Sequence, residues 1–270
     1  MFLFFYFFIF LFGLAVGSFL NSVVYRLALS NFSFWKNLGG KNRSHCSYCK
    51  HTLNWRDLIP VFSFLFLKGR CQYCHKKISW QYPAVEISTG ILFILIFWSL
   101  EFNWVLGIGT WDLIKICFMF YVASSMVVIF VYDLKHYIIP DKVLFPVIAI
   151  TFLYRLFEVL DFRILDYILS GLGAGAFFLF IFLVSGGRWM GFGDVKLAFF
   201  MGLFLGYPNI LAALFLAFFL GAIIGTGLIV FGGKSLKSKI PFGPFLIAGT
   251  FLALFWGEQL VNWYLSLFLF

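Results

Sequence analysis

The sequence predicts an all-α polytopic membrane protein of about eight transmembrane helices, with a small polar domain between the first two. Three observations predict it. Of 270 residues, 63% are hydrophobic and only 11% charged, against roughly half and roughly a quarter in a soluble domain. The apolar residues fall in runs near the ~20 that cross a bilayer. The net charge of +9 is confined to one segment. Residues 26–83 hold ten Lys and Arg and a single acid, Asp57, while the rest of the chain is balanced. A soluble globular domain, a disordered chain and a collagen-like chain are excluded.

Residues 1–25 carry no charge and Arg26 follows directly. A signal peptide has its basic region before the apolar stretch. Here it comes after, so 1–25 reads as a retained first span with its C-terminal end in the cytoplasm. Further apolar runs occupy 84–100, 113–132, 142–158, 164–185, 194–207, 209–231 and 243–265. The loop from Glu101 to Asp112 has two acids and no base, and reads as outside. Lys135, Lys142, Arg188, Lys234, Lys237 and Lys239 fall on the inner side of the alternation. Asp161 and Asp166 fall in an outer loop, and both termini lie outside. Trp98, Trp104, Trp111, Trp256 and Trp263 fall near outer ends, where interfacial aromatics belong. Gly171/Gly175 and Gly221/Gly225 read as close helix packing.

A basic segment admits two readings, a nucleic-acid module or a cytoplasmic loop. The charge alternation favours the loop. Nucleic acid is not expected, because no recognition helix with clustered base-reading residues is present. Anionic lipid headgroups are the expected electrostatic partner.

That segment carries Cys46-Ser-Tyr-Cys49 and Cys71-Gln-Tyr-Cys74. Each tight Cys-x-x-Cys turn points two thiolates at one ion, and two such pairs complete a tetrahedron. A pair of disulfides is the competing reading. In a cytoplasmic loop thiols stay reduced, so Cys46, Cys49, Cys71 and Cys74 are expected to bind structural Zn2+. A segment of this size cannot build much of a core, and a metal supplies the folding energy. His45, His51 and His75 flank the turns and read as solvated. Cys117, inside a span, reads as a small packing residue.

Acids at membrane depth are costly and therefore candidate sites. Four fall on the cytoplasmic side: Glu86, Asp133, Asp141 and Asp194. Asp133 ends the third span, and Asp194 opens the sixth within Gly191-Phe-Gly193-Asp194. Both lie at the same depth. Two carboxylates sharing one proton could activate water and protonate a scissile carbonyl, as in aspartic proteases. Gly191 and Gly193 clear side chains from beside the carboxylate, so a substrate backbone can approach. Singly each Asp reads as an interfacial helix-end residue. Together, with the glycines, they point to catalysis.

The chain resembles bacterial prepilin peptidases, the type IV leader peptidase family of GxGD-type aspartyl proteases. The resemblance rests on Gly17-Ser-Phe-Leu-Asn21 and Tyr25-Arg26, the two cysteine pairs, Trp55-Arg-Asp57, and Tyr82-Pro83-Ala-Val-Glu86. It continues through Asp133, Ile139-Pro140-Asp141, Gly191-Phe-Gly193-Asp194-Val-Lys196, and Pro241-Phe-Gly-Pro-Phe245. It departs at Ala28 and Ser47, where the family often has proline. The resemblance implies that Asp133 and Asp194 are the catalytic acids. It implies removal of a short basic leader from type IV prepilins or pseudopilins at the cytoplasmic face of the bacterial inner membrane. It also implies N-methylation of the new N-terminus with S-adenosylmethionine as methyl donor. Residues that would bind that donor cannot be named from spacing. Glu86 reads as a helix-start acid favoured by the dipole, with contact to the substrate amine as the alternative.

The expected organisation is a first helix at 1–25, a methyltransferase-associated four-cysteine zinc domain at 26–83, a second helix with its outer loop at 84–112, and a six-helix peptidase domain at 113–270. A presenilin-like intramembrane protease is one alternative, although no Pro-Ala-Leu precedes the last span. A non-enzymatic transporter or assembly factor with a zinc docking domain is the other.

Overall fold

The computed structural model describes residues 2–28, 44–100, 109–158, 164–231 and 240–267. Glu101, Trp104, Asp161, Lys234, Lys237 and Lys239 lie outside them. Eight long helices are described: α1 (Phe2–Leu27), α2 (Gln81–Ser99), α3 (Thr110–His136), α4 (Asp141–Glu158), α5 (Ile164–Ser185), α6 (Phe192–Leu205), α7 (Asn209–Val230) and α8 (Gly243–Ser266). Each coincides with a predicted run to within a few residues. Six of them are long and apolar enough to cross a membrane, which makes this a membrane protein. The other two differ for separate reasons. Helix α4 carries Asp141, Lys142, Arg155 and Glu158. Helix α6 has 14 residues, about 21 Å at 1.5 Å per residue, short of a ~30 Å hydrocarbon core.

The chain forms two compact units, Met1–Val128 and Ile129–Phe270. In the first, α1 packs on α2 through glycines. A Cβ on Gly13 would lie 2.7 Å from the Gly90 Cα, and one on Gly17 would lie 2.7 Å from the Glu86 Cα. Side chains at these positions would force the backbones apart. Phe93 and Phe120 stack at 4.0 Å beside this seam.

In the second unit, α6 is the central element, and ten of its fourteen residues are buried. Helices α4, α5, α7 and α8 all contact it. A Cβ on Gly202 of α6 would collide with the backbone of Ser170 and Gly171 on α5. Gly206, at φ 70 and ψ 178, ends α6 in an extended positive-φ conformation open essentially to glycine, and its N–H donates to the Gly202 carbonyl at 2.9 Å.

Two sequence expectations change here. Gly171 and Gly175 pack tightly against Phe199 as predicted, but Gly225 has nothing near it, and Gly221 meets only the Phe242 and Phe245 rings at ordinary contact. That second pair brings no helix close. Cys117 is exposed on α3 rather than packed. A thiol on an outward face of an apolar span costs little, because its surroundings are as apolar as a core.

A buried Arg155 closes the far end of α6. Its guanidinium donates to the Phe204 carbonyl, pairs with Glu158, and lies 4.1 Å from the Tyr167 ring centroid. Helix C-terminal carbonyls are left without intrahelical donors. Here a cation supplies one, favourable also for the helix dipole.

Candidate functional site

The four cysteines converge. Their Sγ atoms all lie within 4.8 Å of one another, and Cys46 and Cys74 are 3.9 Å apart. Tetrahedral Zn–S bonds of ~2.3 Å place sulfurs about 3.8 Å apart, so the donor set fits a thiolate-bound metal. A disulfide needs roughly half that distance, and all four thiols are free.

Two matching hairpins deliver them. In the first, Cys46 N–H donates to His51 O, Lys50 N–H to Cys46 O and Leu53 N–H to Ser44 O. In the second, Cys71 N–H donates to Lys76 O, His75 N–H to Cys71 O and Ile78 N–H to Gly69 O. The residue after each second cysteine, Lys50 or His75, has positive φ, at 59° and 55°. The hairpins exchange ring contacts. His51 stacks on Tyr73 at 3.7 Å, and Lys76 lies 5.2 Å from the Tyr48 ring. Burial pushes the Cys46 thiol up, but the N–H groups of Cys49 and Tyr48 and the Cys49 and Cys71 thiols outweigh it and bring its pKa to about 7. That favours the ligating thiolate. His51 stays exposed while stacking on Tyr73, and His45, also exposed, lies edge-on to Tyr25.

The two predicted aspartates lie within electrostatic reach of one another. Asp133 lies in the last turn of α3, which Tyr137 ends at φ 56, its N–H donating to the Asp133 carbonyl at 2.9 Å. Asp194 lies in the first turn of α6, and its Oδ2 accepts the Gly191 N–H at 3.2 Å. Both are buried, and Asp133 is close enough to act electrostatically on Asp194. Neither has an ion pair among the described residues. Such a pair can hold one proton between two acids, with one carboxylate as base and the other as acid.

Residues that sequence reasoning missed complete the site. Gly243, at the start of α8, donates its N–H to the Asp133 carboxylate. A Cβ there would overlap Asp133 Oδ2. Ile139 is buried between two glycines. Cβ atoms on Gly193 and Gly243 would lie 3.1 Å from its Cβ and 3.5 Å from its Cδ1. The signal available was Gly243 beside Pro244 at the head of a span. Asp141, one of the four inward acids, is taken by Lys196 at 2.7 and 2.9 Å, which ties the start of α4 to α6 two residues from Asp194. Glu86 departs from its helix-start reading. It lies more than a turn inside α2 and is buried.

Residues 11–100 match the bacterial peptidase A24 N-terminal domain, and residues 120–226 match the type IV leader peptidase family. Relatives are similar over nearly the whole chain. One from Aeromonas hydrophila is 30% identical over 97% of this chain and 94% of its own. One from Legionella pneumophila is 32% identical over 95% and 93%. One from Bacillus subtilis (strain 168) is 31% identical over 96% and 97%. All three are named prepilin leader peptidase/N-methyltransferase. No solved structure matches the chain.

Proposed function

The chain belongs to the type IV leader peptidase family, and we propose that Asp133 and Asp194 are the acids with which it cleaves prepilins. It is a membrane endopeptidase that removes the leader from a prepilin and N-methylates the new N-terminus. The observation that carries the assignment is two buried carboxylates, at the end of α3 and the start of α6, within electrostatic reach of one another and without an ion pair among the described residues. In the proposed mechanism, one ionised carboxylate takes a proton from water as it attacks the scissile carbonyl. The protonated partner donates to the carbonyl oxygen, and the proton passes to the leaving nitrogen as the C–N bond breaks. Gly243 holds Asp133 through its N–H, while Gly191 holds Asp194 and leaves room for an extended substrate backbone. Gly193 gives Ile139 its seat.

The site sits at helix ends rather than mid-span, which suits a substrate whose basic leader stays in water and whose stem is a membrane helix. The positive charge of residues 26–83 supports placing this end in the cytoplasm, with both termini outside and anionic headgroups as the segment's partner. The cysteine geometry supports structural zinc held by Cys46, Cys49, Cys71 and Cys74. S-adenosylmethionine would supply the methyl group, and residues 26–83 together with α1 and α2 are the part of the chain assigned to that step.

Purified protein, a prepilin and mass spectrometry of the product test the proposal. Asp133→Asn and Asp194→Asn should each slow leader removal by about 10²–10⁴-fold or more. Normal cleavage by either variant would show that the pair is not the catalytic one.

A further inference from the structure

Among the described residues, peptide cleavage leaves one buried acid unused. Glu86 is 6% exposed and belongs to the first unit. Its Oε2 accepts the Val61 N–H at 2.7 Å, and the Ser18 hydroxyl of α1 also hydrogen-bonds the carboxylate. Both are neutral groups. One turn away, Asn21, only 3% exposed, donates to the Tyr82 carbonyl at 3.1 Å and accepts from Gln81 at 3.3 Å. Ser18, Asn21, Gln81 and Glu86 thus form a polar cluster on the α1–α2 seam, near the junction with the cysteine segment.

The group that Glu86 holds is itself abnormal. Val61 has φ 60 and ψ −50. A β-branched side chain there is an outlier, and such strain persists where the surroundings enforce it, typically at functional sites. Its effect is to aim a peptide N–H at a carboxylate. A backbone donor thereby occupies a lobe where a cationic donor would be stronger. Gly17 meets the Glu86 backbone with no side chain between them, so the acid is fixed at the α1–α2 seam.

We propose that Glu86 receives the α-ammonium of the newly exposed N-terminus and takes a proton from it before methylation. The inference rests on the methyltransferase reading of this chain. The ammonium loses one proton to the Glu86 carboxylate and becomes a neutral amine. The amine lone pair then forms the N–CH3 bond, displacing the methyl group from the sulfonium sulfur, which keeps the S–C electron pair as a neutral thioether. The product is a secondary ammonium, and Glu86 returns its proton to solvent.

The test uses the full chain in detergent with an already cleaved pilin, so that leader removal plays no part. Two readouts are taken. The first is binding of a peptide with the mature N-terminal sequence, either free or acetylated at its amine. The unaltered protein should prefer the free amine by about tenfold or more, a difference of ~1.4 kcal/mol, and Glu86→Gln should erase the preference. The second is the methyl mass shift, whose rate should fall by about 10²-fold or more in Glu86→Gln and recover in part in Glu86→Asp. Metal content and Tm report folding. If Glu86→Gln fails them, Glu86→Asp reads the same prediction as a smaller loss of rate and preference. A folded Glu86→Gln that keeps the free-amine preference, or methylates at the unaltered rate, overturns the proposal. If the unaltered protein adds no methyl group, the methyltransferase reading itself falls and the inference with it.

Discussion

Gly243→Ala should disable the peptidase without unfolding it. The Cβ would overlap Asp133 Oδ2 and lie 3.5 Å from Ile139 Cδ1. Carbon and oxygen normally keep about 3.3 Å apart, so the carboxylate must withdraw by about 1 Å, losing the Gly243 N–H as it goes. A displacement of that size in a reacting group costs about 10²-fold, or ~2.7 kcal/mol on the barrier. The backbone has no objection, because Gly243 is not among the positive-φ glycines, and alanine favours helix more than glycine does. Steady-state leader removal followed by mass spectrometry gives kcat/KM, and a melting curve gives Tm. The expected result is a loss near 10²-fold at unchanged Tm. Unaltered kcat/KM would refute the contact, and a fall in Tm matching the loss of activity would refute the separation of chemistry from fold.

Other perturbations probe different parts of the molecule. Cys71→Ser should reduce metal content from about one ion per chain to near none and loosen the cysteine hairpins. Full occupancy in that variant would contradict four-thiolate ligation. Arg155→Leu removes the donor to Phe204 O and the contact with Tyr167, and should cost on the order of 2 kcal/mol of stability, read as a lower Tm. An unchanged Tm would mean that α6 does not need this cap. Gly202→Ala places a methyl group on the Ser170 backbone and should destabilise by about 1–3 kcal/mol through overpacking. Equal stability to the unaltered protein would show that α5 yields there without cost.

What could be read from the sequence was whatever depends on local chemistry or on depth. The two Cys-x-x-Cys pairs declare their ligand geometry within four residues each, and the structure brings all four sulfurs together. Span positions follow from runs of apolar residues, because solvent rather than packing selects them. Asp133 and Asp194 were legible through charge alternation, which assigns depth without fixing contact. The remainder depends on which helix faces which. Gly243 matters because α8 begins against the end of α3, and no spacing rule spans the 110 positions between the Asp133 and Gly243 numbers. Arg155 falls inside the apolar run 142–158, and nothing in its spacing points to the end of α6 that it caps. Glu86 looked like a dipole-stabilised acid because pattern reading places the helix start nearer to it than Gln81.

The two cysteine hairpins carry a consequence for how metal is gained and lost. Each contributes half the ligands and half of two ring contacts, Tyr48 with Lys76 and Tyr73 with His51. Each hairpin closes its own backbone turn, but neither holds a complete ligand set. A metal bound by all four thiolates should therefore load all-or-none: chelation should release it in one cooperative step, and damage to a single thiolate should be felt in both hairpins.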